Sequence, residues 1–183
     1  MRRTIIGVVT SALLLAAPWS VRGQERVPHE GSTAIGVDVG AFLPTADQLD
    51  ESMIMNVLYE YYVHPRVSLR SGFGWANPSF KAGALDSLRQ LPLRLDVNYN
   101  WEGGRWHPFV GSGVGAYFMQ FQQNGHTFGE TQTKFGLNAG GGIEYFFTRN
   151  ATIKGEGRYH AINNVGAQDP SGLVLTVGLK TYF

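Results

Sequence analysis

Seven times along this chain, large apolar residues fall on every second position while small, polar or charged residues fill the positions between. That period of two belongs to β-strands with different surroundings on their two faces, and it is incompatible with a helical core, whose apolar stripe repeats every three to four residues. The clearest case is LPLRLDVNYNW. Leu91, Leu93, Leu95, Val97, Tyr99 and Trp101 lie on one face, and Arg94, Asp96, Asn98 and Asn100 on the other. The segment SGLVLTVGLKTYF repeats the pattern, with Leu173, Leu175, Val177, Leu179, Thr181 and Phe183 against Val174, Thr176, Gly178, Lys180 and Tyr182. Further runs start near Ile35, Met53, Val67, Phe135 and Ile153. In PFVGSGVGAYFMQF the glycines at 111, 113 and 115 blur the faces. A bulge there would change the phase, so this strand is counted without assigning its sides. A terminal strand left unpaired would be a sticky edge, and an even set of eight strands points to a closed barrel.

The connections alternate in length. Short breaks fall at His64-Pro65, at Glu102 to Arg105 and at Thr148 to Asn150. Longer ones fall around Pro44 to Glu51, Asn77 to Gln90, Gln122 to Gln132 and Asn163 to Ser171. Short turns at one end and long loops at the other are the pattern of an outer-membrane barrel with both termini on the periplasmic side. The start agrees: basic MRR, an apolar run from Ile5 to Ala17, and Val21-Arg22-Gly23 before Gln24 read as a secretory signal peptide over residues 1–23. The run falls short of the roughly 20 residues of a spanning helix. Residues 24–183, about 160 in number, then form one barrel domain. Losing Arg2, Arg3 and Arg22 leaves 12 basic residues against 14 acidic ones, which does not favour a nucleic acid partner. With no cysteine there is neither a disulfide framework nor a thiolate for catalysis or metal.

Alternation alone does not say which face is inside. A soluble barrel would wear the charged face outward. Two features favour the inverted, membrane arrangement. Apolar faces of about 9–11 residues match tilted membrane strands, and they end in aromatic rings near the short turns. Tyr59, Tyr61, Tyr99, Trp101, Trp106, Tyr145 and Phe147 form this expected girdle, joined by Phe183, while Trp75 and Phe121 would mark the opposite rim. The other face carries Asp38, Glu60, Asp96, Glu144 and Glu156 against Arg70, Arg94, Lys154, Arg158 and Lys180. In a barrel of eight strands side chains fill the interior, so these matched charges are expected to pair across it and plug it.

The signal-like start, GVDVGAFLP, HPFVGSGVGAYF and the alternating finish at Phe183 together resemble the small eight-stranded outer-membrane barrels of the OmpX and OmpA type. The resemblance spans the mature chain and implies an all-β, antiparallel up-and-down transmembrane barrel in the outer membrane of a Gram-negative cell. It also implies outer-membrane lipid, lipopolysaccharide and the barrel-assembly machinery as partners, the last reading the aromatic Phe183 as an assembly signal. Deleting Phe183 is then expected to lower the yield of heat-modifiable barrel in the outer membrane.

No catalytic, metal or cofactor site is expected. RYHAINNVG resembles a segment of lipid A deacylases of the same barrel size, in which a serine follows the histidine by two residues. Here Ile162 takes that place after His160 and offers no nucleophile. Ser171 lies in the next loop. Pairs such as Glu144 with Glu156, or Asp96 with Glu60, read as structural ion pairs. The five histidines are scattered. NPSFKAGALDSLRQ is the longest expected loop, open to a short surface helix or to contact with lipopolysaccharide or another cell. The functions left are a charge-plugged surface barrel acting through its loops toward an unidentified ligand, a narrow porin-like passage for small solutes or apolar compounds, and a lipid A-modifying enzyme.

Overall fold

The computed structural model describes residues 28–81, 85–101, 103–124, 126–166 and 169–183. The signal peptide expected over residues 1–23 lies outside them. Eight strands follow one another as β1 Thr33–Pro44, β2 Ser52–His64, β3 Val67–Ala76, β4 Ser87–Asn100, β5 Trp106–Gln123, β6 His126–Phe146, β7 Ala151–Ile162 and β8 Gly172–Tyr182. Each pairs antiparallel with its sequence neighbours, and β8 returns to β1, closing the barrel.

Shear follows from the register. A hydrogen-bonded row leaves Ala34 and passes Glu60, Arg70, Asp96, Gly113, Asn138, His160 and Gly172. It re-enters β1 at Pro44, ten residues from where it began. Strand number and shear together set the tilt, at roughly 40° here, and leave an interior that side chains can fill.

The alternation resolves with the apolar face outward. Leu95, Phe135 and Leu137 are 63%, 67% and 64% exposed, whereas Asp96 and Lys180 are 3% and 1% exposed. A water-soluble barrel would not present such a continuous apolar band; a hydrocarbon environment requires it. Strand β5 takes a definite phase, with Phe109, Gly111, Gly113, Gly115, Tyr117 and Met119 turned inward.

One expected loop is largely strand and another is shortened by one. Ser87–Gln90 opens β4, and residues 122–123 and 126–132 belong to β5 and β6. The physical reason lies in the tip: Gln123 still pairs with His126, and Asn124 has φ 51°, the left-handed conformation of a tight hairpin connection. Above the membrane both faces of this hairpin are wet, which removes the hydropathy contrast that marks strands lower down. No helix forms among the described residues of 77–86; Leu49 bridges Phe80 and Ser79 bridges Ser87 instead.

Candidate functional site

The lumen is the place where this sequence concentrates its chemistry, and it is layered. At the short-turn end Ala34, Tyr62, Phe146 and Tyr182 form a buried cluster. The Tyr62 and Tyr182 hydroxyls lie 3.3 Å apart, and the Tyr182 hydroxyl donates to Glu144 at 2.6 Å. Above it, the Lys180 ammonium reaches Glu60 at 2.6 Å and also binds Glu144. Arg70 donates to Glu60 at 3.3 Å and to Glu156 at 3.0 Å, with its guanidinium over the Phe109 ring at 4.9 Å. Lys154 donates to Glu156 at 2.7 Å and to Asp38 at 2.8 Å. Arg158 donates to Glu156 at 2.7 Å and lies 3.7 Å from Asp96. Arg94 stands 4.0 Å from Asp96. All ten charged residues singled out from the sequence are thus brought into one buried, connected set, five of each sign. Burial on this scale costs several kcal/mol per ion and holds only because each charge meets partners.

Glycines make the reach possible. Lys154, Gly178 and Asp38 share a hydrogen-bonded row, so the ion pair closes over a strand with no side chain there. A Cβ at Gly178 would run into the Asp38 carboxylate. Arg158 likewise meets Asn98 at 3.3 Å across Gly140 and Gly111. The neutral partners Ser68, Asn98, Asn138 and Tyr182 share the inward parity of the charges, which places them in the lumen but does not mark them as partners of the ions.

A second closure lies at the outer mouth. Leu49, Leu88, Tyr117, Met119, Ile162 and Val165 pack together, with Ala46, Phe80 and Phe121 against them. Phe121 therefore stacks on Phe80, 6.2 Å between centroids, and helps cap the barrel instead of marking the lipid rim. Beneath the cap His160 is 2% exposed, with Nδ1 3.2 Å from the Tyr117 hydroxyl. Ser171 Oγ is taken up by the Ile162 backbone, accepting from its N–H at 3.0 Å and donating to its carbonyl at 3.3 Å. No cluster of three metal-ligating side chains occurs among the described residues.

Outside, Tyr59, Tyr61, Tyr99, Trp101, Trp106 and Phe147 are exposed near the short turns and Tyr145 is half-buried. Trp106 packs on Tyr145 at 4.6 Å and Tyr99 on Trp101 at 5.0 Å. Phe183 is exposed and exchanges backbone hydrogen bonds with Thr33.

Residues 9–183 match the family described as outer membrane protein beta-barrel domain. Among solved structures, the chain is similar to Neisserial surface protein A (NspA), with a TM-score of 0.73 at 16% identity, covering 84% of this chain and 100% of that one. It is similar to OprG of Pseudomonas aeruginosa, with a TM-score of 0.68 at 16% identity over 87% and 99% of the two chains. Ail, the attachment invasion locus protein of Yersinia pestis, gives a TM-score of 0.59 at 16% identity over 84% and 99%. No curated protein sequence matches the chain.

Proposed function

The chain belongs to the outer membrane protein beta-barrel domain family, and from that premise we propose that it is a closed, non-enzymatic surface barrel that acts through what it presents outside the cell. The observation that carries this reading is the double closure of the lumen. Ten charges of balanced sign are joined in the middle, and an apolar cap lies over them. A passage that selects ions or polar solutes would more readily line its wall with one sign of charge and keep a wet constriction. Two of the similar barrels carry names that speak of the surface, one a surface protein and one an attachment protein, which supports the same reading. The presenting parts are the loops after β1, β3 and β7 and the long β5–β6 hairpin.

Planar-bilayer conductance of the refolded chain tests it. The wild type is expected to be silent, and Arg94→Ala/Arg158→Ala to leak, more so when Leu49→Ser also loosens the cap. Discrete wild-type openings would favour the narrow-passage reading instead. That second reading has one observation of its own: both carboxylate oxygens of Asp96, Nδ2 of Asn138 and Nε2 of His160 are buried without a hydrogen-bond partner, as a hydrated step between the closures would be. A lipid A-modifying activity finds less support, since Ile162 stands where the nucleophile would be and Ser171 is engaged with backbone.

A further inference from the structure

The three turns at the inner end, between β2 and β3, β4 and β5, and β6 and β7, each carry one arginine: Arg66, Arg105 and Arg149. All three side chains are exposed. Their height is fixed by backbone bonds that continue the ladders past the strands. The Asn100 N–H donates to the Arg66 carbonyl at 2.8 Å, the Phe146 N–H to the Arg105 carbonyl at 2.9 Å, and the Tyr182 N–H to the carbonyl of Asn150, beside Arg149, at 2.7 Å. The arginines therefore form a collar at the edge of the aromatic girdle, at the depth of lipid headgroups. Among the described residues the acidic side chain at this end is Glu30, ahead of β1.

The outer end has the opposite balance. Asp47, Asp50, Glu51 and Glu130 are exposed there, against an exposed Lys81 and half-buried Arg89 and Lys134. Because the lumen charges cancel among themselves, the surface charge is sorted by end, acidic outside and arginine-bearing inside.

We infer that the collar of Arg66, Arg105 and Arg149 is a binding surface for anionic phospholipid headgroups of the inner, periplasmic leaflet. A planar guanidinium offers paired donors to a phosphodiester, and the neighbouring rings Trp101, Trp106 and Tyr145 cover the glycerol and upper acyl region. The basic charges need not be without protein partners for this, since an anionic surface attracts each by roughly fivefold in association and a neighbouring carboxylate removes only part of that gain. The inference does not depend on whether the lumen conducts.

The test uses the refolded chain in phosphatidylcholine vesicles containing a minor fraction of phosphatidylglycerol. Bromine is placed on the acyl chains of one lipid or the other. With Trp19→Phe and Trp75→Phe, emission comes from Trp101 and Trp106, which flank the Arg105 turn. Brominated phosphatidylglycerol is expected to quench beyond its share of the bilayer, giving a relative association constant of about three or more. Arg66→Gln/Arg105→Gln/Arg149→Gln should bring it to one, while the triple lysine variant keeps most of the preference. Heat-modifiable mobility verifies that each variant is a barrel. Equal quenching by the two lipids in the parent would overturn the inference, as would a preference that survives the glutamine substitutions.

Discussion

Replacing Lys180 with methionine is expected to cost the barrel about 3–5 kcal/mol, the loss typical of removing one partner from a buried ionic set. Lys180 is shared by two carboxylates, lying 2.6 Å from Glu60 and bonded to Glu144. Without it, Glu60 keeps Ser68, Asn98 and the Arg70 contact at 3.3 Å, while Glu144 keeps the Tyr182 hydroxyl and a 3.8 Å approach from Arg70. Arg70 is already committed to Glu156 at 3.0 Å. One guanidinium would then serve three carboxylates in a space that excludes water. Equilibrium unfolding in urea, from detergent micelles or vesicles, reads the loss as a lower midpoint. Lys180→Met/Glu144→Gln should recover a substantial part, because the second change removes the stranded charge. A midpoint unmoved by Lys180→Met would show that these ion pairs contribute no net stability, leaving the lumen held by the apolar clusters at its ends.

The layers of this lumen differ in how far they can be read from the chain. Hydropathy contrast between lipid and interior is greatest in mid-membrane, and there LPLRLDVNYNW assigns Arg94, Asp96, Asn98 and Asn100 to one side without ambiguity. Which charges meet is a different matter, because it depends on shear. Arg70 and Glu156 lie four strands apart in sequence order yet touch across the interior. Glycine weakens the signal further. In VGSGVG the inward residues are glycines, which carry almost no hydropathy, although their smallness is what lets Arg158 reach Asn98. The cap is the least legible part. Leu49 and Val165 sit in connections, outside any alternating run, and only their burial at 3% and 1% exposure reveals that they close the mouth. A loop that folds inward over a barrel has no sequence period to announce it.

The same glycines supply a sharper test of the architecture, in which one glycine is indispensable and another is not. Gly40 lies on β1 where the barrel closes against β8. A Cβ there would stand 2.7 Å from the Thr176 Cα and closer still to the Leu175 carbonyl, and backbone in a closed ladder has no room to retreat. Gly155, on β7, faces the lipid, and a Cβ built on it meets nothing within 4 Å. Gly40→Val is therefore expected to abolish the folded, heat-modifiable species, since relief of the clash requires β1 and β8 to separate and leaves two open edges in the bilayer, where unpaired backbone groups cost several kcal/mol each. Gly155→Val should fold with normal yield and unfold at an equal or higher midpoint, because it adds apolar surface to a lipid-facing strand and a β-branched residue suits that position. Gel mobility before and after heating, followed by urea titration of whichever variant folds, separates the two. Normal folding of Gly40→Val would mean that the β1–β8 ladder can slip from the register pairing Gly40 with Thr176, and with it the shear that brings Lys154 over Gly178 to Asp38.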